Sequence, residues 1–109
     1  RRRGAHAINI KLMKTRIVEG FAIAQLARAA GLRLMMGAMV ETILALSAAA
    51  HIAAGSGLFD FIDLDTQFFV AGDVMRSRIL RPNGVLDLRG VRAGLGVTPV
   101  RKTGTRRDR

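Results

Sequence analysis

A lysine set inside a short strand-like run is the polar residue whose setting in this sequence first suggests chemistry. From Ala7 to Leu12 the side chains alternate, so Ile8, Ile10 and Leu12 share one face while Asn9, Lys11 and Met13 share the other. If the apolar set meets covering helices, Lys11 points the opposite way near the strand's C-terminal end, where barrel enzymes place catalytic groups. A desolvated lysine near other cations becomes a usable base. The competing reading is a surface lysine whose stem lies along apolar neighbours. Lys14 has the opposite parity, at the strand exit, and reads as structural or solvated.

Two carboxylates repeat the pattern further on. Phe61, Asp63 and Asp65 fall on one side of a run whose other side carries Ile62 and Leu64. Acids at i and i+2 could hold an ammonium group, a metal or a neighbouring lysine, and burying them requires a cation; two solvated acids at a strand end fit equally well. Asp60 belongs to the preceding loop. Glu41 is expected at or near the first turn of a helix, where the helix dipole favours a carboxylate whatever its role. His51 has no second histidine or carboxylate at ligand spacing, and the chain has no cysteine, so no metal site is expected here. Met35, Met36 and Met39 read first as packing residues.

The elements that must position these groups follow from periodicity. Ala7 to Leu12 is strand-like, Ile17 to Ala30 reads as a helix with Ile17, Phe21, Ala24 and Ala27 along one face, and Gly31 closes it. Arg33 to Gly37 is a second strand, an alanine-rich helix follows from about Val40 to Ala54, and Gly55-Ser56-Gly57 ends it. Phe59 to Asp65 is a third strand. Strand, helix, strand, helix, strand implies a parallel α/β sheet with right-handed crossovers, which a slice of a barrel and a doubly wound sheet fit equally. Beyond Asp65 the pattern loosens: Gln67 to Ala71 continues apolar, Val85 to Leu88 suggests a small strand and Gly94 to Val97 a turn. Three parallel strands leave two bare edges, so such a chain calls for neighbours.

Composition narrows the classes. The 109 residues are 50% hydrophobic, enough for one modest domain, and the palette is aliphatic, with five Phe and no Trp or Tyr. The formal charge of +10 invites a nucleic-acid reading, yet eight of the 18 basic residues lie in Arg1 to Arg3 and in Arg101, Lys102, Arg106, Arg107 and Arg109. No aromatic residues interleave with them, which disfavours a nucleic-acid surface. Leu34 to Ala54 is interrupted by Glu41, Thr42, Ser47 and His51, which argues against a membrane span, and no signal peptide is legible. A cytoplasmic setting is expected. The chain begins with Arg rather than Met and reads as a segment, divided into residues 1–100 and a basic, disordered tail at 101–109.

The strings Ala7-Ile8-Asn9-Ile10-Lys11-Leu12-Met13-Lys14, Leu26-Ala27-Arg28-Ala29-Ala30-Gly31-Leu32, Gly37-Ala38-Met39-Val40-Glu41-Thr42 and Phe61-Ile62-Asp63-Leu64-Asp65-Thr66 carry a resemblance. In order and spacing they resemble the last three βα units of the muconate-lactonizing/mandelate racemase branch of the enolase superfamily, most of all its dipeptide epimerases, including the L-Ala-D/L-Glu type. The resemblance implies a C-terminal slice, strands six to eight, of a (β/α)8 TIM-type barrel. It implies that Lys11 moves the proton α to a carboxylate and that Asp63 and Asp65 hold a dipeptide ammonium group. It further implies that the segment around Met39 lines the substrate pocket and that Glu41 sits beside the catalytic lysine. An α-proton of this kind is too weak an acid for lysine alone, and the family stabilises the enediolate with Mg²⁺. The Mg²⁺ ligands and an opposite-face Lys-x-Lys base are expected upstream, outside this chain, so metal residues are none in this chain and it is expected to be inactive by itself. The implied partners are a dipeptide substrate and the missing N-terminal barrel and capping domain, with homo-oligomerisation left open. Muconate cycloisomerase or o-succinylbenzoate synthase-like chemistry is the alternative within the class, disfavoured by the acid pair; a basic nucleic-acid-binding fragment and a non-catalytic remnant are alternatives outside it. Three departures stand out: Arg16 where relatives commonly have Gly, Gln67 where many have Pro, and Asp73-Val74-Met75 without the usual Pro after the acid.

Overall fold

The computed structural model describes residues 4–101. Part of the basic N-terminus, 1–3, and most of the expected tail, 102–109, lie outside the described residues. The described chain runs β1 (Ala7–Lys11), a one-turn helix α1 (Leu12–Thr15), α2 (Ile17–Ala29), β2 (Arg33–Gly37), α3 (Ile43–Ser56) and β3 (Phe61–Asp63). A 3-10 turn (Thr66–Phe69) and two short strands, β4 (Met75–Ser77) and β5 (Val97–Pro99), follow.

β1, β2 and β3 form a parallel sheet in that order, the α/β arrangement expected from the alternation of periods. Its helix-side face carries Ile10, Leu34 and Met36, each 1% exposed or less. Ile10 and Leu34 pack with Ala24 and Ala27 of α2, and Met36 packs with the apolar side of α3. The parity of the first strand therefore holds, although the strand stops at Lys11 and Leu12 and Met13 belong to α1.

α2 lies close to the sheet because the side it buries is small: Gly20, Ala24 and Ala27. A Cβ on Gly20 would sit 2.6 Å from Thr15 Oγ1. Ile17 and Phe21, expected on the same face as those alanines, are instead 52% and 39% exposed. The stripe that packs consists of the smallest residues, and the bulky apolar ones flank it.

The structure shifts several boundaries. α3 begins at Ile43 rather than near Val40 because Thr42 is its N-cap with extended backbone. It runs through Gly55 and Ser56 to Gly57, whose φ of 63° is the left-handed cap that glycine takes without a Cβ clash. β3 covers Phe61–Asp63 only, since Asp65 turns into αR backbone and its carbonyl accepts the N–H of Phe68. The stretch after Asp65 is a 3-10 turn. The small strand expected at Val85–Leu88 reduces to one antiparallel bridge, Leu80 with Leu86. The expected turn at Gly94–Val97 leads into β5, which pairs antiparallel with β4. That hairpin packs on α3, where the Ser47 hydroxyl donates to the Leu95 carbonyl.

Candidate functional site

Register brings the first candidates together. Lys11 is paired with Gly37, and Gly37 with Asp63, so the three occupy one rung at the C-terminal ends of the three parallel strands. Residues on one rung of neighbouring strands point to the same side of a sheet. Two inter-strand steps separate the lysine and aspartate backbones by about 10 Å. Between them Gly37 has no side chain, and the space is taken from one rung below: a Cβ at Gly37 would lie 2.5 Å from Asn9 Oδ1 and 3.0 Å from Asn9 Nδ2. The amide of Asn9 thus covers the middle strand between the two charged residues. On the rung below, Phe61 aligns with Met35 and Asn9, and the Arg33 guanidinium sits 4.3 Å from the centre of the Phe61 ring.

Lys11 is half-buried, and its Nζ donates to the carbonyl oxygen of Ala38 at 2.9 Å. The N–H of that same peptide group, on Met39, donates to Glu41 Oε1 at 3.3 Å. One peptide is therefore gripped on both edges, by an ammonium on its oxygen and a carboxylate on its nitrogen. Chains of hydrogen bonds of this kind polarise one another in a partly dry setting. Lys11 and Glu41 make no direct ion pair among the described residues. Glu41 is 5% exposed, and its Oε2 is buried without a hydrogen-bond partner. The Met39 side chain, on the loop between β2 and α3, is 37% exposed.

Glu41 is near the first turn of α3, as expected, without being part of it. It lies just outside the cap, and the helix N-terminus is served by Asp73, whose Oδ2 accepts the N–H of Ile43 at 2.6 Å. Asp73 Oδ1 accepts the N–H of Met75, and Gln67 donates to Oδ2. Burial opposes ionisation of Asp73, but the N–H groups of Ile43, Met75 and Val74 and the Gln67 amide outweigh it and hold the carboxyl below the ordinary carboxylate range. No local sequence signal could have found this cap, because donor and acceptor stand 30 residues apart.

Asp63 and Asp65 are both exposed and both border a hollow of about 530 Å³. Its other walls come from Ala50 and Ala53 of α3 and from Leu86 and Leu88; Lys11 does not border it. The rung aligns Lys11 with Asp63, whereas the hollow that Asp63 and Asp65 border lies toward α3, on the other side of the sheet from Lys11. Asp60 sits in the loop before β3, where its carboxylate accepts the N–H of Leu34 at 2.8 Å and pairs with Arg28 at 3.0 Å. The Leu34 N–H, helped by Arg28 and Arg33 and opposed by desolvation, lowers its pKa. It anchors the start of β2 rather than joining the site. His51 binds its own helix: its Nδ1 is 2.8 Å from the Ser47 carbonyl oxygen. Among the described residues no three His, Cys, Asp or Glu side chains converge as a metal site, and no helix is long and apolar enough to cross a membrane.

No family model matches the chain. It is 50% identical over 93 residues to a hydrophobic dipeptide epimerase of Citrifermentans bemidjiense, covering 85% of this chain and 25% of that protein. It is 52% identical over 93 residues to an aromatic dipeptide epimerase of Herpetosiphon aurantiacus, covering 85% and 26%. Among solved structures, a putative mandelate racemase/muconate lactonizing enzyme from Sorangium cellulosum superposes with a TM-score of 0.81 at 51% identity, over 88% of this chain and 27% of that one. A dipeptide epimerase from Cytophaga hutchinsonii, complexed with Mg and the dipeptide D-Ala-L-Val, superposes with a TM-score of 0.77 at 28% identity, over 90% and 27%. The chain spans about a quarter of the length of these relatives.

Proposed function

This chain is related by sequence and fold to the mandelate racemase/muconate lactonizing branch of the enolase superfamily and to its dipeptide epimerases, and from that kinship we propose that it supplies one side of a dipeptide epimerase active site. In this reading the described α/β unit is the last three βα units of a (β/α)8 barrel, with residues 1–100 in the barrel segment. The observation that carries the proposal is the shared rung of Lys11, Gly37 and Asp63 at the C-terminal strand ends, the end at which such barrels do their chemistry.

Lys11, as the free amine, takes the proton from the α-carbon next to the dipeptide's terminal carboxylate and leaves the charge on an enediolate. A proton returned on the opposite face inverts the centre, which requires a second base from strands beyond this chain. Asp63 and Asp65 accept hydrogen bonds from the substrate's ammonium group, and their exposure supports that task. The two-strand span suits a ligand held by its ammonium end while its far α-carbon meets the lysine. Met39 lines the pocket from the β2–α3 loop, and Glu41 steadies Lys11 through the Ala38–Met39 peptide they share.

Among the described residues no three acidic, histidine or cysteine side chains gather to hold a divalent cation. A Mg²⁺ ion would be held by residues outside this chain, and none of the steps above is routed through one.

The test is a chimera in which this chain replaces the matching quarter of an established dipeptide epimerase. In D2O, Cα–H exchange on dipeptides is expected, and Lys11→Met should slow it by at least about 100-fold, the lower range for a general base. Exchange undiminished in Lys11→Met would remove the base role, and a folded chimera without any exchange would remove the function.

A further inference from the structure

A second hollow, of about 840 Å³, lies in the C-terminal part of the chain and shares no residue with the Lys11 rung or the Asp63–Asp65 hollow. Four arginines line it: Arg76 on β4, Arg78 and Arg81 just after it, and Arg92 on the segment leading to β5. One carboxylate, Asp87, is also there, and it is already engaged. Arg89 forks onto it with Nε and Nη2 each at 2.9 Å, and Arg81 reaches it at 3.4 Å. Among the described residues Arg78 and Arg92 have no carboxylate partner, and Arg76 has only the hydroxyl of Thr98 at 3.4 Å. Like charges gathered around one concavity repel, and an anion placed among them relieves that repulsion. Guanidinium groups match the paired oxygens of phosphate groups, and Val91 gives the hollow an apolar wall for the body of such a ligand.

We propose that this hollow binds a compact, multiply charged oxyanion of the phosphate class, a phosphate ester or pyrophosphate, with Arg78 and Arg92 as its main grips. A nucleic-acid strand is the poorer fit because no aromatic side chain lines the hollow to stack a base.

The experiment is a calorimetric titration of the full 109-residue chain with inorganic pyrophosphate, with far-UV circular dichroism recorded on each sample. Arg78 and Arg92 are exposed, so an Arg78→Gln/Arg92→Gln variant should keep the wild-type spectrum. Saturable binding at one site is expected, weakened about tenfold or more in that variant. Binding should be unchanged when Arg106, Arg107 and Arg109 are replaced by Gln. A single-stranded oligonucleotide should bind more weakly than pyrophosphate. Absence of saturable binding, equal affinity in the double variant, loss of affinity with the tail arginines, or tighter binding of the oligonucleotide would each overturn the proposal.

Discussion

A carboxylate and an ammonium can share one peptide without touching, as they do at Ala38–Met39: Lys11 holds its oxygen and Glu41 its nitrogen. Glu41→Gln keeps an acceptor for the Met39 N–H and removes the charge. The chimeric enzyme carrying it is expected to melt at the unsubstituted temperature and to exchange Cα–H about tenfold more slowly. Unchanged exchange would reduce Glu41 to a loop anchor. Arg16 offers a second test, because its φ of 61° with ψ of −174° lies in a region suited to glycine alone. Such strain costs about 1–3 kcal/mol, and glycine's own entropic cost offsets part of the relief. Arg16→Gly should therefore stabilise the fold by about 1 kcal/mol in urea unfolding, and a variant no more stable than the parent would contradict the strain. At this scale the face that Lys11 occupies was legible from strand parity, while its proposed role came from the resemblance, which also marked Arg16. The burial of Glu41 was not legible, since nothing in its neighbours along the chain says that its side chain folds back onto Met39.

Among the elements, α3 is tied down at points distant in sequence. Asp73 caps its first turn and Leu95 accepts from Ser47 in its second. Asp73→Ala should cost about 1–2 kcal/mol, the range for a lost cap. Since its folded pKa lies below the usual value, the contribution is complete above the unfolded value of about 3.9 and fades as pH falls through the folded one. The stability gap between parent and variant should accordingly narrow below about pH 4; a gap constant down to pH 2 would show that the charge is not what matters. Gly37→Ala should push the Asn9 amide aside at a cost of about 1 kcal/mol, most of it recovered in Asn9→Ala/Gly37→Ala, and equal losses in both variants would mean the clash lies elsewhere. The first three strands and two helices were readable because period two and period 3.6 alternate cleanly over Ala7 to Asp63. The β4–β5 hairpin was not: each strand has three residues, and its pairing joins Met75 to Pro99. β3 was overestimated because alternation in the sequence continues to Asp65 after the backbone has already turned.

For the molecule as a whole, the surface is unevenly finished. Val18 and Leu26 of α2 are 76% and 71% exposed, and β1 is an edge of its sheet. An edge of this kind beside apolar side chains is a surface that further strands and helices would cover. The chain alone is expected to self-associate in sedimentation velocity and to leave dipeptides unepimerised. Adding the separately expressed preceding strands of a related epimerase should restore exchange. Val18→Lys/Leu26→Lys should reduce self-association, and a chain monomeric without those changes would argue against the uncovered face. The rung from Lys11 through Gly37 to Asp63 has a different kind of consequence. Its width is set by backbone hydrogen bonding between strands, so substitutions can shorten or lengthen the reach at either end while the separation of the anchors stays fixed. The sheet is a ruler with one graduation per strand, and under the proposed function any mutation that tunes what is gripped does so only within a span that evolution of side chains cannot redraw.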